Sequence, residues 1–383
     1  MSNPTETSAP AQPQKLFYID NIRIILTALV VLHHVFVAYG APGGWYYLEK
    51  TTNMGALIPM TMVVSINQSF FMGFFFLLAA YFTQSSYDRK GAARFLSDRL
   101  LRLGVPLLFY SLIFSPFLIY LVYYFAEGHH TPYLQYLGGF DDWVDFGVLW
   151  FVAALLLFTF VYIIWRSITQ KATAHTNLPV PTTGRIILFA LTLGLISFLV
   201  RIVFPVGWVL KPLGFQPGHF TQYVGLFIVG LLAYKNNWFN ELPARTGKQM
   251  GLFAILLFLF FPVFYIIKAK LNMPISWFSG GFHWQTLLYA VWEQCIGISI
   301  ITALLTRGKR LWNKSTPFLA KLSRSAFAVY IFHPLAIISL SLIVRSWAVD
   351  PAVKLLVVTP LAVLCSFLIG RLIVLIPGVK KII

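Results

Sequence analysis

The chain has 383 residues, of which 58% are hydrophobic and only 11% charged, with a mean hydropathy of +0.76. Too little polar surface exists to cover a soluble globule of this size, so the composition excludes a water-soluble enzyme and indicates an integral membrane protein. The formal net charge of +17 does not imply nucleic acid: the basic residues sit in short loops beside apolar runs, where anionic headgroups or an anionic cytosolic ligand are the natural partners.

Residues 1–14 (MSNPTETSAPAQPQ) are polar and Pro-rich and read as a disordered tail. They lack a charged n-region, so the apolar run at 18–40 reads as a retained helix and not a signal peptide. Long apolar runs continue down the chain without the ten-residue alternation of a barrel, which predicts an all-α, polytopic helical bundle. At about 20 residues per span, ten helices are expected near 18–40, 57–82, 103–125, 146–165, 186–204, 219–234, 251–267, 285–305, 325–345 and 354–376. No internal repeat and no separate soluble unit is evident, so residues 15–383 read as a single transmembrane domain. With the N-terminus inside, the segments 83–102, 166–185, 235–250 and 306–324, together with Lys15, Lys380 and Lys381, carry 20 of the 29 Lys and Arg, against seven outside. The outer segment 126–145 has no Lys or Arg and four acids. The positive-inside rule then puts both termini in the cytoplasm. Cys295 and Cys365 both fall in apolar spans, so neither a disulfide framework nor a thiolate metal site is expected.

The first span, YIDNIRIILTALVVLHHVFVAYG, carries Asp20, Arg23, His33 and His34. At about 100° and 1.5 Å per residue, Arg23 and His34 lie within roughly 20° of one face and about 16 Å apart, whereas His33 points about 80° away. Asp20 is placed to pair with Arg23 one turn on. Ionisable groups at bilayer depth cost at least ~2.5 kcal/mol and usually face a bundle interior or a wet cavity. An imidazole there is the natural group to take a proton from a hydroxyl at neutral pH. The bland alternative is a structural Asp20–Arg23 pair with His34 as a packing residue.

A first helix reading D-x-x-R and then R-x10-H resembles that of the acyltransferase 3 family, ten-helix bacterial membrane enzymes that move acyl groups onto sugars and other acceptors. The resemblance continues in order. FFMGFFFLLAAYF (70–82) is similar to the family's second-helix segment, with Ala79-Ala80 in place of Ser-Gly. Arg99-Leu-Leu-Arg102, with Pro106 nearby, matches its R-x-x-R. VLWFVAALL (148–156) resembles its His-Leu-Trp-Phe segment, with Val148 where His is common, and YIFHPLAI (330–337) matches its late Tyr/His-Pro segment. The style is that of the branch that modifies membrane-derived glucans. The resemblance implies location in the bacterial inner membrane, no bound cofactor, a cytosolic acyl-CoA donor carrying an acetyl or succinyl group, and a carbohydrate or other hydroxyl acceptor at the outer side. In that frame His34 is the general base or a transiently acylated nucleophile, with Arg23 and Asp20 supporting it.

Arg99 and Arg102 suit the phosphates of acyl-CoA, or serve as ordinary inner-surface flanking charge. Trp150 is either a stacking platform for the acceptor or an interfacial anchor. Glu293, mid-span, either orients a catalytic histidine, binds acceptor hydroxyls, or pairs with Arg201 or Arg371. Tyr330 and His333 are expected in the inner half of the ninth helix, lining the donor channel or packing. His129, His130, His175, His219 and His283 lack metal-ligand spacing and receive no role. No G-x-S-x-G elbow is present, which disfavours a hydrolase-type acyl-serine route. The competing classes are a secondary transporter or flippase, which would also bury Arg23, His34 and Glu293, and a haem electron carrier, disfavoured because His34 and His333 are expected at different depths.

Overall fold

The computed structural model describes residues 16–169 and 178–383. The expected tail at 1–14, along with Lys15, Lys171 and His175, lies outside the described residues. The helices are α1 (Phe17–Ala38), α2 (Met54–Gln68), α3 (Phe71–Arg99), α4 (Val105–Phe109), α5 (Ser115–Phe125), α6 (Tyr133–Gly138), α7 (Trp150–Thr169) and α8 (Thr183–Val203). They continue as α9 (Pro217–Lys235), α10 (Trp238–Glu241), α11 (Ala244–Lys270), α12 (Ser276–Ser279), α13 (Trp284–Leu311), α14 (Pro317–Val344) and α15 (Pro351–Leu375). Among the described residues there are no strands beyond a single Leu210–Phe215 bridge, as the need to satisfy every backbone group within lipid demands.

Among the described residues, eight helical runs are long and apolar enough to cross a membrane, against the ten expected. The expected spans 57–82 and 103–125 fall in one run, Met54–Phe125, and the expected span 219–234 falls on α9, which is not among the eight. The long run is not one rod: it bends at Ser69 and Phe70, and Gly91 breaks it with φ 73° and ψ 168°. Two π-turns, Leu100–Gly104 and Tyr110–Phe114, come just before Val105-Pro106 and Ser115-Pro116. A proline has no N–H for the carbonyl four residues back and its ring clashes there, so the preceding turn widens.

Helix starts are set by local chemistry. Asn53 Oδ1 accepts from Gly55 N–H at 2.9 Å, and Thr316 Oγ1 and Asp350 Oδ1 accept from Leu319 and Ala352 N–H at 3.2 and 2.8 Å. Proline occupies the first position of α9, α14 and α15, where its missing N–H costs nothing. Close crossings are made at small residues, as expected where no hydrophobic effect drives helix pairing. A Cβ on Gly230 (α9) would come within 2.4 Å of the Leu77 carbonyl of α3, and one on Gly194 (α8) within 2.8 Å of Val291 of α13. Gly247 and Gly370 likewise seat α11 on α13 and α15 on α14.

The bundle has two ends. At one, the start of α1 meets the loops around 239 and 312–314: Tyr18 N–H donates to Asn313 Oδ1 at 3.3 Å, and Asn21 Nδ2 donates to the Trp312 and Lys314 carbonyls at 2.6 and 2.9 Å. Ile383 comes to this same end, lining one cavity with Arg23. At the other end, Tyr39 meets Ser341 at 3.1 Å, Thr51 meets Asp350 at 2.9 Å, and the loop before α9 meets that before α13 through Val206 N–H and the Ser279 carbonyl at 2.8 Å. The basic loops described above thus gather at the end where α1 begins.

Candidate active site

Helix α1 borders several cavities, two of them large and adjoining. Toward its start, Arg23 and Thr27 join Phe75, Ala79, Arg99, Arg102, Phe151 and Tyr330 around a basic cavity of ≈420 Å3. Toward its end, Val30, His33, His34 and Val37 join Gln68, Trp150, His219, Tyr223, Tyr289 and Tyr330 around a cavity of ≈690 Å3. Tyr330 borders both. His33 lines the second cavity despite its 80° offset from Arg23, because a helix facing a broad cavity presents an arc of 100° or more.

Three arginines line the basic cavity, two of them held by contacts with neighbouring side chains. Arg23 pairs with Asp20 at 3.4 Å and lies 5.0 Å over the Phe82 ring. Arg99 lies 5.0 Å over Phe95 and reaches Thr83 Oγ1 at 3.4 Å. Arg102 stands in the π-turn before Pro106. Asp20 does not line this cavity; it faces a neighbouring one with Asn21 and Arg324, so it acts on the site only through Arg23. Ala79, at the Ser-Gly departure from the family pattern, lines the basic cavity, while Ala80 packs at Gly230. One turn on from Ala79, the Thr83 hydroxyl accepts from Arg99.

The expectation that His34 and His333 lie at different depths is corrected. His333 Nε2 is 3.0 Å from His34 Nδ1, and the rings stack with centroids 5.0 Å apart at 17°. The cause is a helix boundary: α14 begins at Pro317 and not near 325, so His333 lies about 24 Å into its helix and His34 about 26 Å into α1 at 1.5 Å per residue. His333 accordingly lines neither cavity and stands fully buried behind His34. The contact gives haem no opening either, since an iron between two imidazoles needs about 2 Å to each nitrogen and these nitrogens already touch.

The pair has a defined proton order. His333 Nδ1 is 2.8 Å from the Tyr330 carbonyl, which only accepts, so Nδ1 carries the proton and His333 Nε2 is an acceptor. His34 Nδ1–H therefore donates to it, leaving the His34 Nε2 lone pair free. Tyr330 is fixed in turn by its hydroxyl, which donates to the Val148 carbonyl. Position 148, where the family pattern commonly has His, thus contributes a backbone oxygen.

Trp45 was not singled out by the sequence, yet it stacks on His34 at 4.3 Å and 20° and on His333 at 5.9 Å and 23°. It belongs to the Gly-rich loop 39–53, which folds back over the end of α1. That loop is held by Tyr46 Oη to Tyr110 Oη at 2.6 Å and by Glu49 to the buried Lys354 at 2.5 Å. Burial pushes the Tyr46 phenol up from its ordinary range, so it stays neutral in this contact. Trp150 lines the larger cavity and stacks on Tyr223 at 5.5 Å, which places it inside the bundle and not at a lipid interface.

Glu293 is buried and lines neither cavity. Of its two expected ion-pair partners it takes Arg201, whose Nη2 donates to Glu293 Oε2. Its other oxygen faces His219 Nδ1 at 3.4 Å, and His219 reaches the larger cavity. His219 escaped the sequence reading because it sits in the first turn of α9, where a histidine looks like an ordinary helix-end residue.

Comparison with known proteins agrees with this architecture. A family model described as "Acyltransferase domain", that of acyltransferase 3, matches residues 16–371. Curated relatives include "Glucans biosynthesis protein C" of Salmonella paratyphi B and of Salmonella dublin, each 22% identical over 342 residues, covering 86% of this chain and 84% of theirs. The protein of that name from Salmonella gallinarum is also 22% identical, over 345 residues. No solved structure matches. With nearly its whole length matched by that model and a polytopic helical bundle around its histidine pair, the chain belongs to the acyltransferase 3 family of membrane acyltransferases.

Proposed function

We propose that the protein moves an acyl group, acetyl or succinyl, from cytosolic acyl-CoA to a hydroxyl of a glycan acceptor at the outer side of a bacterial inner membrane. The single observation carrying this reading is that a cavity ringed by Arg23, Arg99 and Arg102 and a cavity holding His34 share Tyr330 as a common wall. Phosphates of the donor dock on the arginines, which match phosphate oxygens with paired N–H groups. The pantetheine arm then passes Tyr330 and brings the thioester to His34. Trp150 and Tyr223 offer ring faces to the acceptor in the larger cavity. The relatives' names contain the word glucan, which supports a glycan as acceptor. The donor side follows from positive-inside counting, since the arginine cavity lies at the end where the basic loops gather.

In the reaction, the free lone pair of His34 Nε2 acts as base toward the acceptor hydroxyl or as nucleophile toward the thioester. His333 accepts the Nδ1 proton and Trp45 screens both rings. Radiolabelled acetyl-CoA given to membranes with wild-type protein or the His34→Ala variant tests the reading. The variant is expected to lose transfer by about 10²- to 10⁴-fold. Wild-type protein that neither binds nor consumes acyl-CoA, yet moves a solute, overturns it in favour of a transporter.

A further inference from the structure

The cavity that holds His34 continues into a side groove of ≈340 Å3, with Ser65 of α2 and Tyr289 of α13 in the wall of both. The groove runs between α2 and α11, which both pack on α13. Of the eight runs able to cross a membrane α11 is the least buried, with 22% of its apolar stretch covered against 61% in α13. It presents Phe261, Phe264, Tyr265 and Lys268 to the groove, the i, i+3, i+4, i+7 stripe of one helix face. Seven residues at 1.5 Å make that stripe about 10 Å long, and it rises from buried rings to an ammonium at the end of the bundle where α1 finishes. Lys268 is half-buried, and among the described residues its side chain has no ion pair or hydrogen bond. A cation with no acid beside it, set over hydrocarbon walls at a membrane rim, matches an anionic head with an apolar chain beneath it.

From this arrangement we infer that the groove seats the anchor of a lipid-carried acceptor. A hydrocarbon chain enters sideways from the bilayer and lies along Phe261, Phe264 and Tyr265. The phosphate at its head meets Lys268, and the glycan joined to that phosphate extends past Ser65 and Tyr289 into the cavity of His34. The inference rests on the acyl-transfer reading above and names its acceptor class: a glycan linked through phosphate to a membrane lipid is the preferred acceptor, and a free oligosaccharide a poorer one.

The test uses full-length protein in nanodiscs, labelled acetyl-CoA and glucan oligomers in three forms: free, joined to a dodecyl chain through a glycosidic oxygen, and joined to it through phosphate. Both dodecyl forms are held in the bilayer, so the comparison between them isolates the anion. Wild type is expected to show a KM for the phosphate-linked form about 5-fold below that for the neutral one. Lys268→Gln should abolish that difference and Lys268→Arg keep it, with the KM for free oligomers unchanged in both. A diazirine on the chain of the phosphate-linked form should label α11 around Phe261–Tyr265. Equal KM values for the two dodecyl forms in wild type, a Lys268→Gln variant that keeps the difference, or an absence of label on α11 overturns the inference. So does labelling that phosphatidylglycerol displaces as well as the linked oligomer does, which marks an ordinary lipid seat. Labelling that persists in a wild type consuming no acetyl-CoA with any of the acceptors overturns instead the reading beneath it.

Discussion

His333 lines neither of the two cavities, yet it decides which nitrogen of His34 carries the proton. Replacing it by Ala leaves His34 free to take the other tautomer, and such orienting partners typically carry 10- to 100-fold in activity. His333→Ala is therefore expected to lower kcat by about that factor with KM for acyl-CoA unchanged, as steady-state kinetics would read. Trp45 gives a second prediction at this scale. Its stacking on two imidazoles is met by another flat ring, so Trp45→Phe should retain most activity. Trp45→Ala forfeits about 0.5–1.5 kcal/mol of ring contact and should lose roughly 3- to 10-fold. Asp20, Arg23 and His34 were legible because an ionisable group in an apolar run is conspicuous. Trp45 and His219 were not, since one sits in a Gly-rich loop and the other at a helix start, places where such residues attract no notice.

At the scale of elements, the π-turns and the break at Gly91 place Arg99 and Arg102 on the cavity that Arg23 reaches from α1. Charge-assisted hydrogen bonds are worth about 1.5–3 kcal/mol. Arg99→Ala and Arg102→Ala should each raise KM for acyl-CoA by about 10- to 100-fold with kcat nearly constant, and the effect should weaken as salt rises. The loop 39–53 is pinned by Lys354, whose side chain is 2% exposed, to Glu49, at 23%. Removing one member of a buried pair costs about 3–5 kcal/mol, and the partial exposure of Glu49 puts this one at or below the lower figure. Lys354→Met is thus expected to lower the Tm of detergent-purified protein. Combining it with Glu49→Gln should recover part of the loss. The helix content itself is readable from apolar runs, but hydropathy puts the start of α14 eight residues late because Pro317 begins a polar turn that it does not count as helix. That one boundary moved His333 from the donor side to His34.

At the scale of the whole molecule, two cavities that lie toward opposite ends of α1 and share Tyr330 make the proposed reaction a sided one. In proteoliposomes of one orientation, labelled acetyl-CoA added on the side of the basic loops should yield acyl transfer to glucan oligomers on the opposite side. Donor added with the acceptor side only should yield none. Composition by itself determined that the chain is a membrane helical bundle, because 58% hydrophobic residues leave no other solvent for them. Charge placement likewise separated the basic loops from the acidic one, since each reflects the energetics of a single segment crossing a bilayer. The tertiary structure alone decided that His34 meets His333, that Trp45 covers both and that Arg201 and Glu293 stand behind His219 at the cavity wall. Those contacts join residues up to 299 positions apart, and close packing of helices at glycine crossings, which no local pattern encodes, brings them together.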